Sequence, residues 1–502
     1  MTVETALEKL EQLERETYAL RHSMSVLYVD GDTAAPKNSW QGRGKAMGYL
    51  SEMMYRATDN PEVGEMLETL LQNRDRVDAK AFRQAQVWKE EYDDMHVMPM
   101  AEYVAYQELL SEAITVWHEA KEKSDYASFE PLLGRLIDYN LRFAQRKGDG
   151  KKPAYDVLLD TYEKGAGMEM LDPFFETVRA ELTPLIGEIA GKEQIGFDFK
   201  SKVWPIEQQR RFSEKIMALE GLNPDNCTLG ETEHPFTDGM NKWDVRITTH
   251  YFEEDFASSM FSVIHEGGHA LYELGVADDL QFTILSGGST MGVHESQSRF
   301  YENLIARSRA FCRPLLTLMR ECFPDQTAGL TEEELYRGIN RAQPSLIRTD
   351  ADELTYPLHV MIRYEIEKGI FAGELKTKDL PGVWNELYRK YLGVEVPDDR
   401  RGILQDSHWS GGSFGYFPSY ALGSAYGVQM LRRMEQDIDV WGPVSRGDLS
   451  GVNAWLGEKV HRFGRSLEPQ DILKNAMGAP LDPKVYTGYL KQKYGELYGV
   501  RV

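Results

Sequence analysis

Two histidines and a glutamate lie within five consecutive residues, and their spacing could hold a metal ion for hydrolysis. His265 and His269 are four positions apart, so on a helix they share one face and both imidazoles can reach a single zinc ion. Glu266 follows His265 directly, where its carboxylate can take a proton from a water molecule that the metal makes more acidic. This pattern predicts a zinc-dependent hydrolase.

The residues around this pattern predict a buried helix. Apolar side chains dominate the run, Asp255 or Ser258 could cap its start, and Gly275 could end it. Two glycines, Gly267 and Gly268, stand inside the motif. Each costs about 1 kcal/mol in a helix interior relative to alanine, so we expect another part of the chain to approach this backbone closely.

A catalytic zinc usually has three protein ligands, and the third candidate follows a glycine-rich turn at 286–290. The next segment, 291–300, has a helical pattern and contains both His294 and Glu295. Adjacent helical residues point about 100° apart, so only one of them can face the metal. The alternative signature, with a third histidine shortly after the first two, is absent. We favour Glu295, which would complete a His/His/Glu set for zinc; cobalt or manganese could occupy the same ligands.

Six motifs in one order resemble those of the Taq-type thermostable carboxypeptidases. They are His-Pro-Phe at 234–236, Asp-Val-Arg-Ile-Thr at 244–248, His-Glu-Gly-Gly-His at 265–269, His-Glu-Ser-Gln at 294–297, Ile-Arg-Thr-Asp-Ala-Asp at 347–352 and Gly-Ile-Leu-Gln-Asp-Ser-His-Trp at 402–409. The resemblance implies an elongated helical body split by a deep groove. It also implies release of single C-terminal residues with broad side-chain tolerance, and a homodimer.

An enzyme that acts at a peptide C-terminus must recognise a free carboxylate, which the planar arginine fork suits. Arg348 is the leading candidate because it lies in the matching motif, and Asp352 (or Asp350) could hold it in place; Arg246 and Arg401 are the next candidates. His234 is a further substrate-binding candidate, although its His-Pro-Phe motif is also typical of a rigid turn.

Two further groups could act on the reaction intermediate or bind the peptide backbone. His408 and Tyr420 are candidate donors to the oxyanion, either as a cationic imidazole or as a neutral phenol. Both lie in a segment rich in glycine and aromatics, 405–427, for which we predict a loop. The alternating segment 242–251 predicts a strand, and an edge strand there could bind an extended peptide.

The fold prediction is mainly α, with a small β-sheet beside the zinc helix. Helical patterns cover 2–24, 42–71, 79–92, 101–121 and 128–146, and much of 177–219 and 331–376. No linker or repeat divides the 502 residues, so we expect one domain, 1–502. Its N-terminal helical part (to about 230) and its zinc and catalytic part (from about 231) could form two lobes about the groove.

Composition excludes several classes of protein. The net charge of −23 disfavours nucleic acid as a partner, and no apolar stretch approaches the roughly 20 residues of a membrane span. The charged N-terminus is unlike a signal peptide, and three cysteines suggest no disulfide framework, so we expect a cytoplasmic protein. The rival functions are a zinc endopeptidase, an aminopeptidase and a catalytically silent peptide-binding scaffold. The presence of Glu266 counts against the scaffold.

Overall fold

Helices dominate the computed structural model, which describes residues 1–194 and 196–501. Twenty α-helices lie within these residues, and the mainly α prediction is confirmed. Their bounds are α1 (Val3–Thr33), α2 (Trp40–Thr58), α3 (Pro61–Gln72), α4 (Ala79–His96), α5 (Met100–Lys123), α6 (Tyr126–Lys147), α7 (Ala154–Tyr162), α8 (Met168–Ala190), α9 (Ile206–Glu220), α10 (Phe256–Gly275), α11 (Met291–Arg299), α12 (Arg309–Cys322), α13 (Glu332–Ile339), α14 (Tyr356–Phe371), α15 (Leu380–Leu392), α16 (Phe417–Asp437), α17 (Trp441–Val444), α18 (Ser450–Lys459), α19 (Pro469–Met477) and α20 (Pro483–Tyr498).

A three-stranded sheet lies between α9 and α10 in the chain. Its strands are β1 (Cys227–Glu231), β2 (Thr237–Asn241) and β3 (Asp244–Thr249), in the order β1-β3-β2. β1 pairs with β3 in parallel, and β2 pairs with β3 antiparallel. The prediction that the strand at 242–251 is an edge strand that could bind a peptide is therefore wrong, because this strand, β3, lies in the centre of the sheet. β2 is an edge strand, and its Thr237 contacts Glu266 in α10, the helix that carries the predicted zinc ligands His265 and His269.

Most predicted helices form, but several are shorter or divided. The predicted helix 42–71 is two helices, since α3 begins at Pro61 with Asn60 as its N-cap, and proline is favoured only in the first turn. The predicted helix 331–376 is interrupted between α13 and α14, and Arg348 lies in that interruption. The predicted loop 405–427 is wrong beyond Tyr416, because α16 begins at Phe417 and includes Tyr420.

The metal helix α10 begins where its sequence predicts. The Asp255 side chain accepts a hydrogen bond from the Ser258 backbone N–H at 3.3 Å, and the helix ends at Gly275. A Cβ placed on Gly268 would lie 2.8 Å from the Cα of Ser298 in α11, and one on Gly267 would overlap the buried Glu220 side chain. The expected close approach is confirmed, and it brings α11 against the motif.

Buried apolar residues form two clusters. The main cluster extends from Leu109 in α5 to Val500 and includes the apolar face of α10. A smaller cluster joins α1, α3 and α4 to the segment after α10, through Val276 and Leu285. The main core therefore continues across residue 230, where the sequence suggested a border between two lobes. Among the described residues, no helix is both long and apolar enough to span a membrane.

Candidate metal centre and catalytic site

Helices α10 and α11 bring three potential ligands together. Nε2 of His265 and Nε2 of His269 lie 3.7 and 3.6 Å from Oε2 of Glu295, and the three ligand atoms all lie within 4.8 Å of one another. Ligands about 2.0–2.2 Å from a tetrahedral zinc lie about 3.3–3.5 Å apart. The three residues are therefore almost as close as such a metal requires.

The outer nitrogen of His265 is held by a carboxylate. Its Nδ1 donates to Oε2 of Glu302 at 2.9 Å. Glu302 is buried, and it also accepts hydrogen bonds from Arg299 at 3.0 Å and Arg307 at 3.3 Å. It lies on a π-helical turn, Phe300–Ala306, that continues α11; such turns are rare and frequent at functional sites.

The outer nitrogen of His269 is held by a second histidine. Nδ1 of His269 lies 2.5 Å from Nδ1 of His294, and Nε2 of His294 lies 2.7 Å from Oε1 of Glu273. His294, the rival candidate for the third ligand, is thus a neighbour of a ligand position and is absent from the three-residue group.

The donor set fits a metal such as zinc. Each histidine has its Nδ1 engaged and its Nε2 directed at Glu295, and outer partners of this kind are typical of metal-binding histidines. Burial lowers the pKa of His269 to about 3, so its ring is neutral. Burial alone would raise the pKa of Glu295, but Arg299 and His265 hold it well below its usual range. His269 and Glu295 thus have the protonation states that metal ligands need. Burial alone would lower the pKa of His265, but Glu295 and Glu302 raise it above the ordinary value.

Glu266 lies beside the ligands and is oriented by the sheet. The side chain of Thr237 in β2 donates to Oε2 of Glu266 at 2.6 Å. Glu266 is 7% exposed, and burial raises the pKa of its carboxyl above the ordinary value. A carboxylate that is almost fully shielded from solvent and held in one position is suited to proton transfer.

A cavity of about 570 Å³ connects the metal centre with the interruption between α13 and α14. His265, Arg299 and Glu302 are among its lining residues, and so are residues 348–352 and Tyr356. The leading arginine candidate, Arg348, is therefore in the same cavity as a metal-facing histidine.

Arg348 is held by a residue that the sequence did not suggest. Its Nε and Nη2 both donate to Oδ1 of Asp406, at 3.1 and 2.9 Å, and its Nη1 donates to the Tyr356 hydroxyl at 2.9 Å. Burial alone would raise the pKa of Asp406, but Arg348 and Arg363 hold it well below its usual range. The suggestion that Asp352 or Asp350 holds Arg348 is wrong, since Asp352 bonds instead to the start of α14 and to Gln343.

The two oxyanion candidates contact each other. Nε2 of His408 lies 3.0 Å from the Tyr420 hydroxyl, and the Tyr420 ring lies 4.9 Å from the guanidinium carbon of Arg348. Burial, together with Arg348 and Arg363, lowers the pKa of His408 to about 4 even though Asp406 opposes the shift. The imidazole is therefore neutral near pH 7, and the predicted cationic form is not favoured.

Comparison with known proteins agrees with this geometry. The sequence model described as carboxypeptidase Taq (M32) metallopeptidase matches residues 9–494. The chain belongs to this family. Family membership makes it a metallopeptidase, a hydrolase that acts on peptides.

Several relatives of the family match over almost their whole length. Carboxypeptidase 1 of Bacillus subtilis is 40% identical over 478 residues, which cover 95% of each chain. Thermostable carboxypeptidase 1 of Thermus thermophilus is 34% identical, covering 99% of this chain and 100% of the relative. Among solved structures, the M32 carboxypeptidase from Deinococcus radiodurans R1 superimposes with a TM-score of 0.95 at 33% identity, covering 99% of this chain and 100% of that one.

The remaining sequence candidates lie apart from this cavity. Arg246 forms a bidentate pair with Asp244 at 2.9 and 3.0 Å in β3, and Arg401 is exposed and pairs with Asp398. His234 is exposed between β1 and β2. None of these three side chains lines the cavity that holds His265 and Arg348.

Sequence reasoning missed several residues of this metallopeptidase site. They are Thr237, Glu273, Arg299, Glu302, Arg307 and Asp406. A signal for two of them was present: Glu273 and Arg299 each lie four positions after a ligand, His269 and Glu295, and so on the same helix face.

Proposed function

We propose that this protein is a zinc-dependent metallocarboxypeptidase that releases single C-terminal residues from peptides with broad side-chain specificity. The observation that carries the proposal is the shared cavity, which is lined by the buried Arg348 and by His265, one member of the His/His/Glu group. The relatives named carboxypeptidases support it.

His265, His269 and Glu295 would hold the metal, and Glu266 would handle the proton. A divalent metal at this site supplies Lewis acidity that polarises the scissile carbonyl and makes a nearby water molecule more acidic. Glu266 accepts the proton of the attacking water and later transfers it to the leaving amine. The hydrogen bond from Thr237 holds the carboxylate in position for both transfers.

Tyr420 would donate a hydrogen bond to the oxygen of the scissile carbonyl as negative charge develops there. Because His408 is neutral, its Nε2–H can donate to the Tyr420 oxygen, which leaves the phenol proton free for the substrate. Gly423, one turn further along α16, packs directly against Glu295, so this face of α16 lies beside the metal centre.

Arg348 would bind the C-terminal carboxylate of the substrate. Three of its five N–H groups bond to Asp406 and Tyr356, which leaves two for a ligand. Asp406 and Tyr356 thus fix the direction of the guanidinium before substrate arrives. The edge strand β2 would form hydrogen bonds with the substrate backbone. Such hydrogen bonds do not depend on the type of side chain, which agrees with broad specificity.

The deciding experiment compares one N-acetylated peptide with its C-terminally amidated twin by mass spectrometry, using zinc-loaded protein. We expect stepwise loss of single residues from the free acid only. Internal cuts in both peptides would indicate an endopeptidase, and no cleavage by a zinc-containing protein would indicate a peptide-binding scaffold. Glu266→Gln, which we expect to keep its metal, is the inactive control.

The carboxylate anchor is tested with Arg348→Lys. Lysine keeps the charge beside Asp406 but loses the planar fork. We expect KM for the free acid to rise by about 10- to 100-fold, because hydrogen bonds to a charged group contribute about 1.5–3 kcal/mol. Arg401→Lys, a change at an exposed arginine outside the cavity, is the matched control and should leave KM unchanged. An unchanged KM in Arg348→Lys would assign the anchor to another residue.

The cellular setting that we propose is a cytoplasmic homodimer with zinc as the native metal and no nucleic acid partner. The three cysteines are buried and unpaired thiols, which suits a reducing compartment. Light scattering of the purified protein tests the dimer, and metal analysis of protein isolated without added metal tests the zinc.

A further inference from the structure

One side of the metal centre carries a hydrogen-bonded chain to which the proposed reaction assigns no role. The chain begins at a main-chain donor, the Gly288 N–H, which lies 2.9 Å from Oε1 of Glu273. The same oxygen lies 2.7 Å from Nε2 of His294, whose Nδ1 lies 2.5 Å from Nδ1 of His269. A fixed backbone group is thus connected to a metal-facing histidine, His269, through two side chains, those of Glu273 and His294.

The direction of the chain follows from its ends. A backbone N–H can only donate and an ionised carboxylate can only accept, so Oε1 of Glu273 takes a hydrogen bond from each neighbour. When the His294 ring carries a single proton, that proton is on Nε2, facing Glu273, and Nδ1 presents a lone pair. That lone pair can accept the Nδ1 proton of His269. The free lone pair of His269 is then on Nε2, the atom 3.6 Å from Oε2 of Glu295.

Packing keeps His294 in this position. A Cβ on Gly288 would overlap the His294 ring, so glycine lets the loop close over it. The Tyr272 ring lies 5.2 Å from the same imidazole, and the Tyr272 hydroxyl accepts a hydrogen bond from the Ser289 N–H at 3.0 Å. The loop and Tyr272 together fix the ring that contacts His269.

We infer that His294, oriented by Glu273, is a positioning residue that keeps the proton of His269 on Nδ1 and its Nε2 lone pair available to the metal. The reverse tautomer would place a proton where the metal must bind. This inference rests on the metal site of the proposed function and adds to it a role for two residues that are not ligands.

The test measures the zinc dissociation constant of the full-length protein by competition with a chelator. His294→Leu removes the acceptor, and we expect zinc binding about 10- to 100-fold weaker, the usual cost of losing an outer partner. In His294→Asn the side-chain oxygen can occupy the place of Nδ1 and accept the same proton, so most of the affinity should return. Melting of the metal-free proteins should be unchanged in both variants.

His461→Leu is the matched control. His461 is buried, while His294 is partly buried, and the His461 ring likewise lies 5.2 Å from Tyr272. Its hydrogen bond at 2.9 Å is to Gln297 and not to a ligand. Its zinc affinity should equal that of the wild type. An equal loss in His461→Leu and His294→Leu would overturn the inference in favour of general packing.

Two other outcomes separate the inference from the function on which it rests. Wild-type affinity in His294→Leu, with the wild type binding zinc tightly, overturns the inference alone. A wild-type protein that binds no zinc overturns the proposed function and the inference together. If His294→Leu does not fold, His294→Asn and Glu273→Leu carry the test, because leucine at position 273 removes the acceptor that orients His294. Wild-type zinc affinity in a folded Glu273→Leu, together with weak zinc binding in a folded His294→Asn, would overturn the inference.

Discussion

The two metal-facing histidines of α10 are held by different kinds of partner. His265 donates directly to Glu302, a buried carboxylate with guanidinium groups of Arg299 and Arg307 at 3.0 and 3.3 Å. His269 contacts another imidazole, His294, and the nearest carboxylate on that side, Glu273, is one step further away.

This difference separates two tasks that outer residues perform. On the His265 side, the buried Glu302 balances two partly buried cations, so its loss leaves part of their charge without compensation and should reduce both stability and metal affinity. On the His269 side, the role that we infer for the His294 ring is to keep the proton of His269 on Nδ1. Its loss should reduce metal affinity and leave the stability of the metal-free protein almost unchanged.

The largest expected effect is that of Glu302→Ala. Removing one partner of a buried charge network costs about 3–5 kcal/mol, so the free energy of unfolding in urea with chelator present should fall by this amount, and zinc affinity should fall as well. Glu333→Ala is the control, because Glu333 also pairs with two arginines, Arg309 and Arg337, but is 45% exposed. Its loss should be within about 1 kcal/mol. Equal losses in the two variants would contradict the charge argument.

The next effect compares the same chemical change on the two sides. Glu302→Gln removes the charge between two guanidinium groups, and hydrogen bonds to charged groups contribute about 1.5–3 kcal/mol. Glu273→Gln keeps an oxygen that can accept from His294, so we expect a loss of at most about 1 kcal/mol. Urea unfolding of both metal-free variants measures the difference. A loss in Glu273→Gln as large as that in Glu302→Gln would show that charge matters equally on both sides.

The part of the site that a single helix carries was predictable from the sequence. A spacing of four residues placed His265 and His269 on one face. The 100° argument allowed only one of His294 and Glu295 to face the metal, and the observed three-residue group contains Glu295, the favoured candidate. The capping residue Asp255 also followed from local chemistry, because a cap depends only on the next few backbone groups.

The residues that hold the ligands and Arg348 in place were harder to predict from the sequence, because their contacts depend on tertiary geometry. Glu302 reaches His265 from a π-helical turn that has no sequence signature, and Asp406 meets Arg348 across 58 positions of chain. Glycine and aromatic content suggested a loop at 405–427, but in α16 Gly423 and Gly427 let the helix pack against α11. Packing here overrides local propensity.

The smallest expected effect is that of Arg307→Met, which sharpens the account of the His265 side. Arg307 lies 3.3 Å from Glu302 and stacks on Phe261, but Arg299 still neutralises Glu302 when Arg307 is lost. Arg307 also donates to the Ile339 carbonyl, so two hydrogen bonds are lost and we expect the free energy of unfolding to fall by about 1–2 kcal/mol, with zinc affinity nearly unchanged. Arg309→Met removes a similar stacked arginine, over Tyr336 at 4.2 Å, which pairs with Glu333 and not with Glu302, and it controls for the stacking. If Arg307→Met lowered the free energy of unfolding as much as Glu302→Ala, Arg307 rather than Arg299 would balance the charge of Glu302. Arg299, which also donates to Glu295, would then contribute less than its position suggests.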